Sequence, residues 1–441
     1  MKKKLLFLLI TSALLLALCF GASAAVHSSG SHYDERPLYP NDPLVKIVDG
    51  VAYEPQRIWD QNKREYAGVS AYHVIDFFAT NKLAKTATEI RIVPEIDGVP
   101  VTAITARYHP DTRNETVKAL TIPDSVTHIE QLFLFRALET VRLPQGLKTL
   151  GGRCFTRMDN LKEIDLPKEL TAVPPSCFKG CKQLTCVRFL GSKMELIGAQ
   201  AFYGCVKLED VEIPHSVRQL QSGAFAKSGI RYARIPVSCA LTVNRNSSGY
   251  TGEDTPAFYG CKQLEEVFFE GDYYWFPENI RSTIYIPHDT FRNCTALKKV
   301  TLPACRHLTI GENAFMNCKA LETVTNGEFI EFAPAGAFRN CKSLKRFEIG
   351  NWADRIGADT FKGCTGLKKL ILKTDNVLLF DMRYPRYDRS WNGNFLRGIP
   401  ATCRIYVPND TMQQAVVSHG FTGRVTVKQM RDLAQNTRER V

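Results

Sequence analysis

Beyond residue 20 the chain has no apolar run approaching the ~18 residues that a membrane-spanning helix requires, so a helical multi-spanning protein is excluded from the start. It also lacks a glycine-rich phosphate loop, a His-Glu-x-x-His pair and a serine set in a nucleophile elbow. Nucleotide-dependent, zinc-peptidase and hydrolase chemistry therefore find no residues to rest on. Charge of one sign is not concentrated either: 57 lysines and arginines are interleaved with 45 acids for a net +12. No basic stripe or run marks a nucleic-acid footprint, and no nucleic-acid partner is expected. The nine histidines, among them His73, His109, His128, His215 and His419, have no recurring carboxylate or nucleophile beside them. Carboxylate pairs such as Glu163 with Asp165, or Asp210 with Glu212, sit at the alternate spacing of solvated strand positions. The sequence thus predicts neither an enzyme nor a cofactor or metal site.

What is present begins with an export signal. Lys2, Lys3 and Lys4 precede an apolar run from Leu5 to Phe20 and the small residues Ala22-Ser23-Ala24, the order of a cleavable leader. The remainder carries +9, since residues 1–24 hold three lysines and no acid. A lipid anchor at Cys19 is the alternative, although the bulky Leu18 stands where such signals carry a small residue. The expected location is extracellular or on a bacterial cell surface, with the periplasm as the other possibility. Membrane contact is expected only through such an anchor.

The dominant feature is a repeat. A small residue and Phe, then Cys, Leu, Val and Leu/Ile-Pro at fixed spacing, recur around Phe155, Phe178, Phe202, Phe225, Phe258, Phe291, Phe315, Phe338 and Phe361. Successive phenylalanines are separated by 23, 24, 23, 33, 33, 24, 23 and 23 residues. A period that survives two insertions signifies a solenoid. An apolar residue followed by Gly recurs before the Phe, as in Leu150-Gly151, Ile197-Gly198, Ile310-Gly311 and Ile356-Gly357, and an earlier degenerate unit runs through Leu120-Thr121-Ile122-Pro123. Within a unit, Leu161-Lys162-Glu163-Ile164-Asp165-Leu166-Pro167 reads as a short strand with Ile164 and Leu166 inward, stopped by Pro167. Because every unit repeats one circuit, such strands can pair only in parallel.

These motifs, over residues 118 to 372 with a prelude at Ile90 to Val101, resemble the BspA-like leucine-rich-repeat family of bacterial surface proteins. The resemblance implies a right-handed α/β-type superhelix with a parallel sheet of about ten short strands. A small β cap at the N-terminus and a strand-helix cap at the C-terminus complete that expectation. It also implies adhesion to host matrix proteins, other cells or host receptors as the kind of role to expect. No family residue with a defined ligand contact maps onto this chain. The expected organisation is a signal peptide (1–24), a flexible leader (25–43), an N-terminal β cap (44–92), the repeat array (93–372) and a C-terminal cap and tail (373–441). In the last segment Asn409 or Asp410 can cap a helix through Val417, ended by Gly420.

Fourteen cysteines in an exported chain would ordinarily suggest a disulfide framework. Their spacing argues otherwise. Cys181, Cys205, Cys261, Cys294, Cys318, Cys341 and Cys364 occupy one slot, three residues after the repeat Phe, which Met158 and Ser228 fill elsewhere. A slot that accepts Met and Ser needs no covalent partner, and rungs ~4.8 Å apart stand wider than the Cβ separation of a disulfide. The column is expected to be buried free thiols. Cys186, Cys239, Cys305 and Cys403 lie off it.

The outward strand positions supply the expected binding face. Tyr232, Arg234, Glu266 and Phe268 place aromatics among charges in its middle, a combination typical of protein-binding centres. Three insertions, 237–256, 270–286 and 373–394, add aromatics: Tyr273, Tyr274 and Trp275, then Tyr384, Tyr387 and Trp391. Such loops can fill a protein pocket or stack on a sugar ring. A protein ligand is the expected partner, with a glycan-binding or surface-scaffold role as the alternative.

Overall fold

Each unit closes its circuit because the apolar spacing changes along it, and a computed structural model shows what each stretch becomes. It describes residues 45–428 apart from 62, 64, 78–86, 107–113, 244–254, 272–283, 306 and 381–393. The alternating stretch forms the front ladder, parallel strands in the order Glu89–Arg91, Ala119–Thr121, Thr140–Arg142, Glu163–Leu166 and Cys186–Phe189. It resumes with Tyr232–Pro236, Glu266–Glu270, Lys299–Thr301 and Thr323–Thr325, and then Arg346–Ile349, Lys369–Leu372, Arg404–Val407 and Arg424–Val427. Ile164 and Leu166 are buried while Glu163 is exposed, the alternation that the pleat demands.

The array has a second ladder where the sequence reading had placed one sheet. It runs through Val99–Ile104, His128–Ile129 and Thr149–Leu150, then Ala172–Val173, Leu196–Ile197, Gln219–Leu220 and Ala240–Leu241. Ile284–Ile286, Leu308–Ile310, Ile330–Ala333 and Arg355–Ile356 continue it. These strands are mostly two residues long, too short to carry a periodicity; their trace in the sequence is the recurring apolar residue followed by Gly. A third side consists of turns whose backbones also bond rung to rung, as in Phe155 N to Cys177 O at 2.8 Å and Phe202 N to Ala224 O at 2.7 Å.

The three sides enclose a column of nine phenylalanines. Eight consecutive ring pairs stack from Phe155 to Phe361 at 5.0 to 6.0 Å between centroids, with interplanar angles of 13° or less. A translational repeat forces this: identical side chains on identical backbone must lie parallel, and the rung spacing holds them in contact. Most units have left-handed backbone both two residues before the repeat Phe and two residues after it; at the second position Gly180 and Gly204 supply it with φ of 75° and 72°. In later units Asn293, Asn317 and Asn340 take this position, and their amides chain together at 2.9 and 2.8 Å.

The cysteine column is explained by its hydrogen bonds. Cys181 Sγ donates to the Phe155 carbonyl at 3.0 Å, Cys205 to Phe178 at 3.1 Å, and Cys364 to Phe338 at 3.1 Å; Cys261, Cys294, Cys318 and Cys341 repeat the contact. A small side chain with one weak donor fits a slot that faces a buried carbonyl; Ser228, in the same column, has its hydroxyl 3.6 Å from Cys261 Sγ. All thirteen cysteines from Cys154 to Cys403 are free thiols. Burial pushes the thiols of Cys181, Cys205, Cys261, Cys294, Cys318 and Cys341 up, Cys261 to about 11 and Cys181 to about 12, so they resist ionisation and alkylation. Iodoacetamide on the folded, unreduced protein should therefore label Cys186, the one half-exposed thiol, well before the rest. After unfolding without reductant, intact-mass analysis should find all thirteen alkylated; a substantial shortfall would mean disulfides.

At the N-terminal end, Lys46–Val48, Val51–Asp60 and Glu65–Asp76 form an antiparallel meander whose last strand pairs in parallel with Val99–Ile104, the second ladder's first strand. At the other end a helix, Asp410–Ser418, follows Arg404–Val407, and the Asn409 side chain accepts from Met412 N at 2.9 Å. The strand after it, Arg424–Val427, is a further front rung that carried no clear sequence signal. Among the described residues no helix is long and apolar enough to cross a membrane.

Candidate binding face

The front ladder aligns its outward residues in two columns. In the middle, Tyr232 faces Glu266 and then Lys299, while Arg234 faces Phe268 and then Thr301. Tyr232 and Phe268 are thus diagonal neighbours on adjoining strands, each 44% exposed. Both are held on rigid, hydrogen-bonded backbone rather than on loops.

Charges frame this pair on both sides. Before the strands begin, Glu265 accepts from Arg231 Nη2 at 2.6 Å and from Lys298 Nζ at 2.8 Å, joining three rungs. The Lys298 ammonium and the Arg231 guanidinium hold the Glu265 carboxyl below the usual carboxylate range. Arg231 also lies 5.5 Å from the Tyr232 ring centroid. At the far ends of the strands Arg234 donates to Glu270 at 2.9 Å, and His215 stands 3.8 Å from the same carboxylate. The result is an apolar diagonal between two polar rims.

The structure brings Tyr232, Arg234, Glu266 and Phe268 onto one surface. Tyr273, Tyr274, Trp275, Tyr384, Tyr387 and Trp391 lie outside the described residues. Sequence reasoning missed Arg231, Glu265 and Lys298, although a signal existed. The slot before each front strand pairs opposite charges across rungs elsewhere too, Lys162 with Glu139 at 3.2 Å and Lys345 with Glu322 at 3.3 Å. Asp210 is exposed, as the alternate spacing expects, but it makes only an isolated bridge to Cys186, so its rung has no regular strand. Ile371, which alternation along its strand would turn outward, is buried at 1% exposure. The acidic stretch contains its own counter-ion, since Arg188 donates to both Glu163 and Asp165. No group of three His, Cys, Asp or Glu side chains able to hold a metal occurs among the described residues.

The model of the BspA type leucine rich repeat region matches in six copies, over residues 113–231, 189–277 and 257–380. This chain belongs to that family. The BspA-type match spans well over half of the sequence, including the whole phenylalanine column. No curated protein matches the sequence. Among solved structures, a leucine rich cell surface protein from Faecalibacterium prausnitzii A2-165 is 18% identical, with 90% of this chain and 97% of that one covered and a TM-score of 0.45. A leucine-rich repeat protein from Bacteroides ovatus ATCC 8483 is 20% identical over 87% of this chain and all of its own, with a TM-score of 0.46. The pneumococcal vaccine antigen PcpA is 16% identical over 87% of this chain and 98% of that one, with a TM-score of 0.40.

Proposed function

We infer that this BspA-type protein is exported and displayed at a bacterial surface, where it acts as an adhesin-like binder of a partner or host protein. The observation that carries this reading is the Tyr232–Phe268 diagonal: two large, half-exposed aromatics on adjoining rungs of a rigid ladder, framed by ion-pair networks on both sides. An apolar centre with a charged rim is the anatomy of a protein-recognition patch, and a rigid scaffold lowers the ordering cost of binding. Among the described residues, adjacent strands present it as an open face. A broad open face suits a folded protein surface better than a small metabolite, which needs a concave pocket. The export signal at residues 1–24 supports the location.

The test is a binding screen of the mature protein against purified matrix and cell-surface proteins, followed by Tyr232→Ala with Phe268→Ala. The double variant should bind the identified partner at least 30-fold more weakly, since even a single central aromatic anchor contributes about 2 kcal/mol or more. Its thermal midpoint should barely change, because both side chains lie on the solvent face. Retained affinity would remove this patch from the interface.

A further inference from the structure

The last four rungs of the front ladder carry one cation each in a single column. Arg346 faces Lys369, Lys369 faces Arg404, and Arg404 faces Arg424. Lys428 follows at the end of the final strand. The neighbouring column holds Glu348, Ile371, Tyr406 and Thr426, so one carboxylate stands among five cations. Glu348 is already taken by Arg346 and by Lys373 at 2.8 Å. Lys369, Arg404, Arg424 and Lys428 make no ion pair among the described residues.

Like charges set opposite one another on a sheet repel, and here the repulsion is left standing. The Lys369 ammonium shows it: burial first, then Arg346 beside it, push its pKa below the usual lysine value. The partial compensation is the Tyr406 ring, 4.8 Å from Lys369 Nζ and 5.8 Å from Lys428 Nζ. A column of unrelieved cations becomes favourable when an external polyanion lies along it.

The direction and pitch of the column say which polyanion. It runs across the strands at ~4.8 Å per rung, whereas an extended acidic peptide repeats its same-face side chains every ~6.8 Å. A single-stranded nucleic acid requires free aromatic faces on which bases stack, and the Tyr406 ring is engaged by two ammonium groups. A linear polysaccharide with an anionic substituent on its sugars offers charge at a repeat close to one rung. Sulfate esters stay ionised throughout the physiological range and present three oxygens, so one group can bridge Arg404 and Arg424. We propose that the C-terminal rungs of the front ladder bind a linear sulfated polysaccharide, with Arg404 and Arg424 as its principal contacts. This site is separate from the Tyr232–Phe268 patch, with the rungs of Lys299 and Thr323 between them.

The test uses the full mature chain on immobilised heparin, read by biolayer interferometry over a salt series. Binding should weaken steeply with salt, as counterion release requires. Arg404→Gln with Arg424→Gln should weaken it at least tenfold at physiological salt. Arg404→Lys with Arg424→Lys, which keeps the charge, should recover most of the affinity. Tyr232→Ala with Phe268→Ala should leave heparin binding unchanged, so this proposal and the protein-binding reading fail separately. Undiminished binding by the glutamine variant would overturn the inference. So would equal affinity for desulfated heparin, polyglutamate or single-stranded DNA, each of which would assign the column to different chemistry.

Discussion

Phe202→Ala is expected to destabilise the array by about 3–5 kcal/mol, the range for truncating a fully buried phenylalanine in a core that cannot collapse around the void. Collapse is blocked by the repeat itself. Phe202 is clamped between Phe178 at 5.3 Å and Phe225 at 5.2 Å, and each neighbour is fixed by its own rung, whose turn is hydrogen-bonded at 2.7 to 2.8 Å on either side. No side chain on the adjacent rungs can enter the space without leaving its own slot. Guanidinium titration of the full chain, followed by circular dichroism, reads the effect. Phe155→Ala provides the internal comparison: it is equally buried but stacks on one neighbour in the column, Phe178 at 5.0 Å. If ring stacking adds to burial, Phe155→Ala should cost less than Phe202→Ala by roughly 0.5–1.5 kcal/mol, the value of one aromatic pair. Equal losses would mean that burial alone holds the column together.

That column was legible in the sequence because a translational repeat converts a one-dimensional period directly into contacts. Once Phe recurs at a nearly constant step, its neighbours in space are known, and so are those of the cysteines three residues later. The front strands were legible for the same reason, through the alternation of Ile164 and Leu166 with Glu163 and Asp165. The limits of this logic are equally physical. A two-residue strand such as Leu196–Ile197 has no alternation to detect, so the second ladder was foreshadowed only by the apolar residue before each Gly. Ile371 occupies an outward register position yet is buried, and register does not report what covers a face. The cation column escaped notice because Lys369 and Arg404 stand 35 positions apart, across an insertion that hides the period. Only the parallel pairing of their strands makes them neighbours. Among the proposed site residues, the outward placement of Tyr232 and Phe268 was legible because they lie on regular rungs; alternation places strand residues and says nothing of where aromatic side chains in insertions point.

The glycines of the second ladder lead to the other large effect. A Cβ built on Gly198 would stand 2.7 Å from Pro175 N and 2.8 Å from both Pro174 C and Val173 O; one on Gly357 would stand 2.6 Å from Ala335 N and 2.7 Å from Pro334 C. These are backbone atoms of the rung beneath, so no rotamer change can relieve the overlap. The closeness comes from the hydrogen bonds that define the ladder, Gly198 N to Val173 O at 2.8 Å and Gly357 N to Ala333 O at 2.7 Å. Gly198→Ala must therefore either lengthen that bond or spread the rungs, and spreading them also loosens the phenylalanine stack on the opposite side of the circuit. The expected cost is about 3 kcal/mol or more, at or above the upper end for forcing a methyl into a packed core. Gly204 separates this close approach from glycine's conformational freedom: its φ is 72°, yet a Cβ there would meet nothing within 4 Å. Gly204→Asn, a residue that tolerates left-handed backbone and already serves at Asn293, Asn317 and Asn340, should cost under about 1 kcal/mol, far less than Gly198→Ala. Measured side by side by guanidinium unfolding, similar losses at the two positions would show that the rungs of the second ladder can yield, and that its spacing is not fixed by its hydrogen bonds.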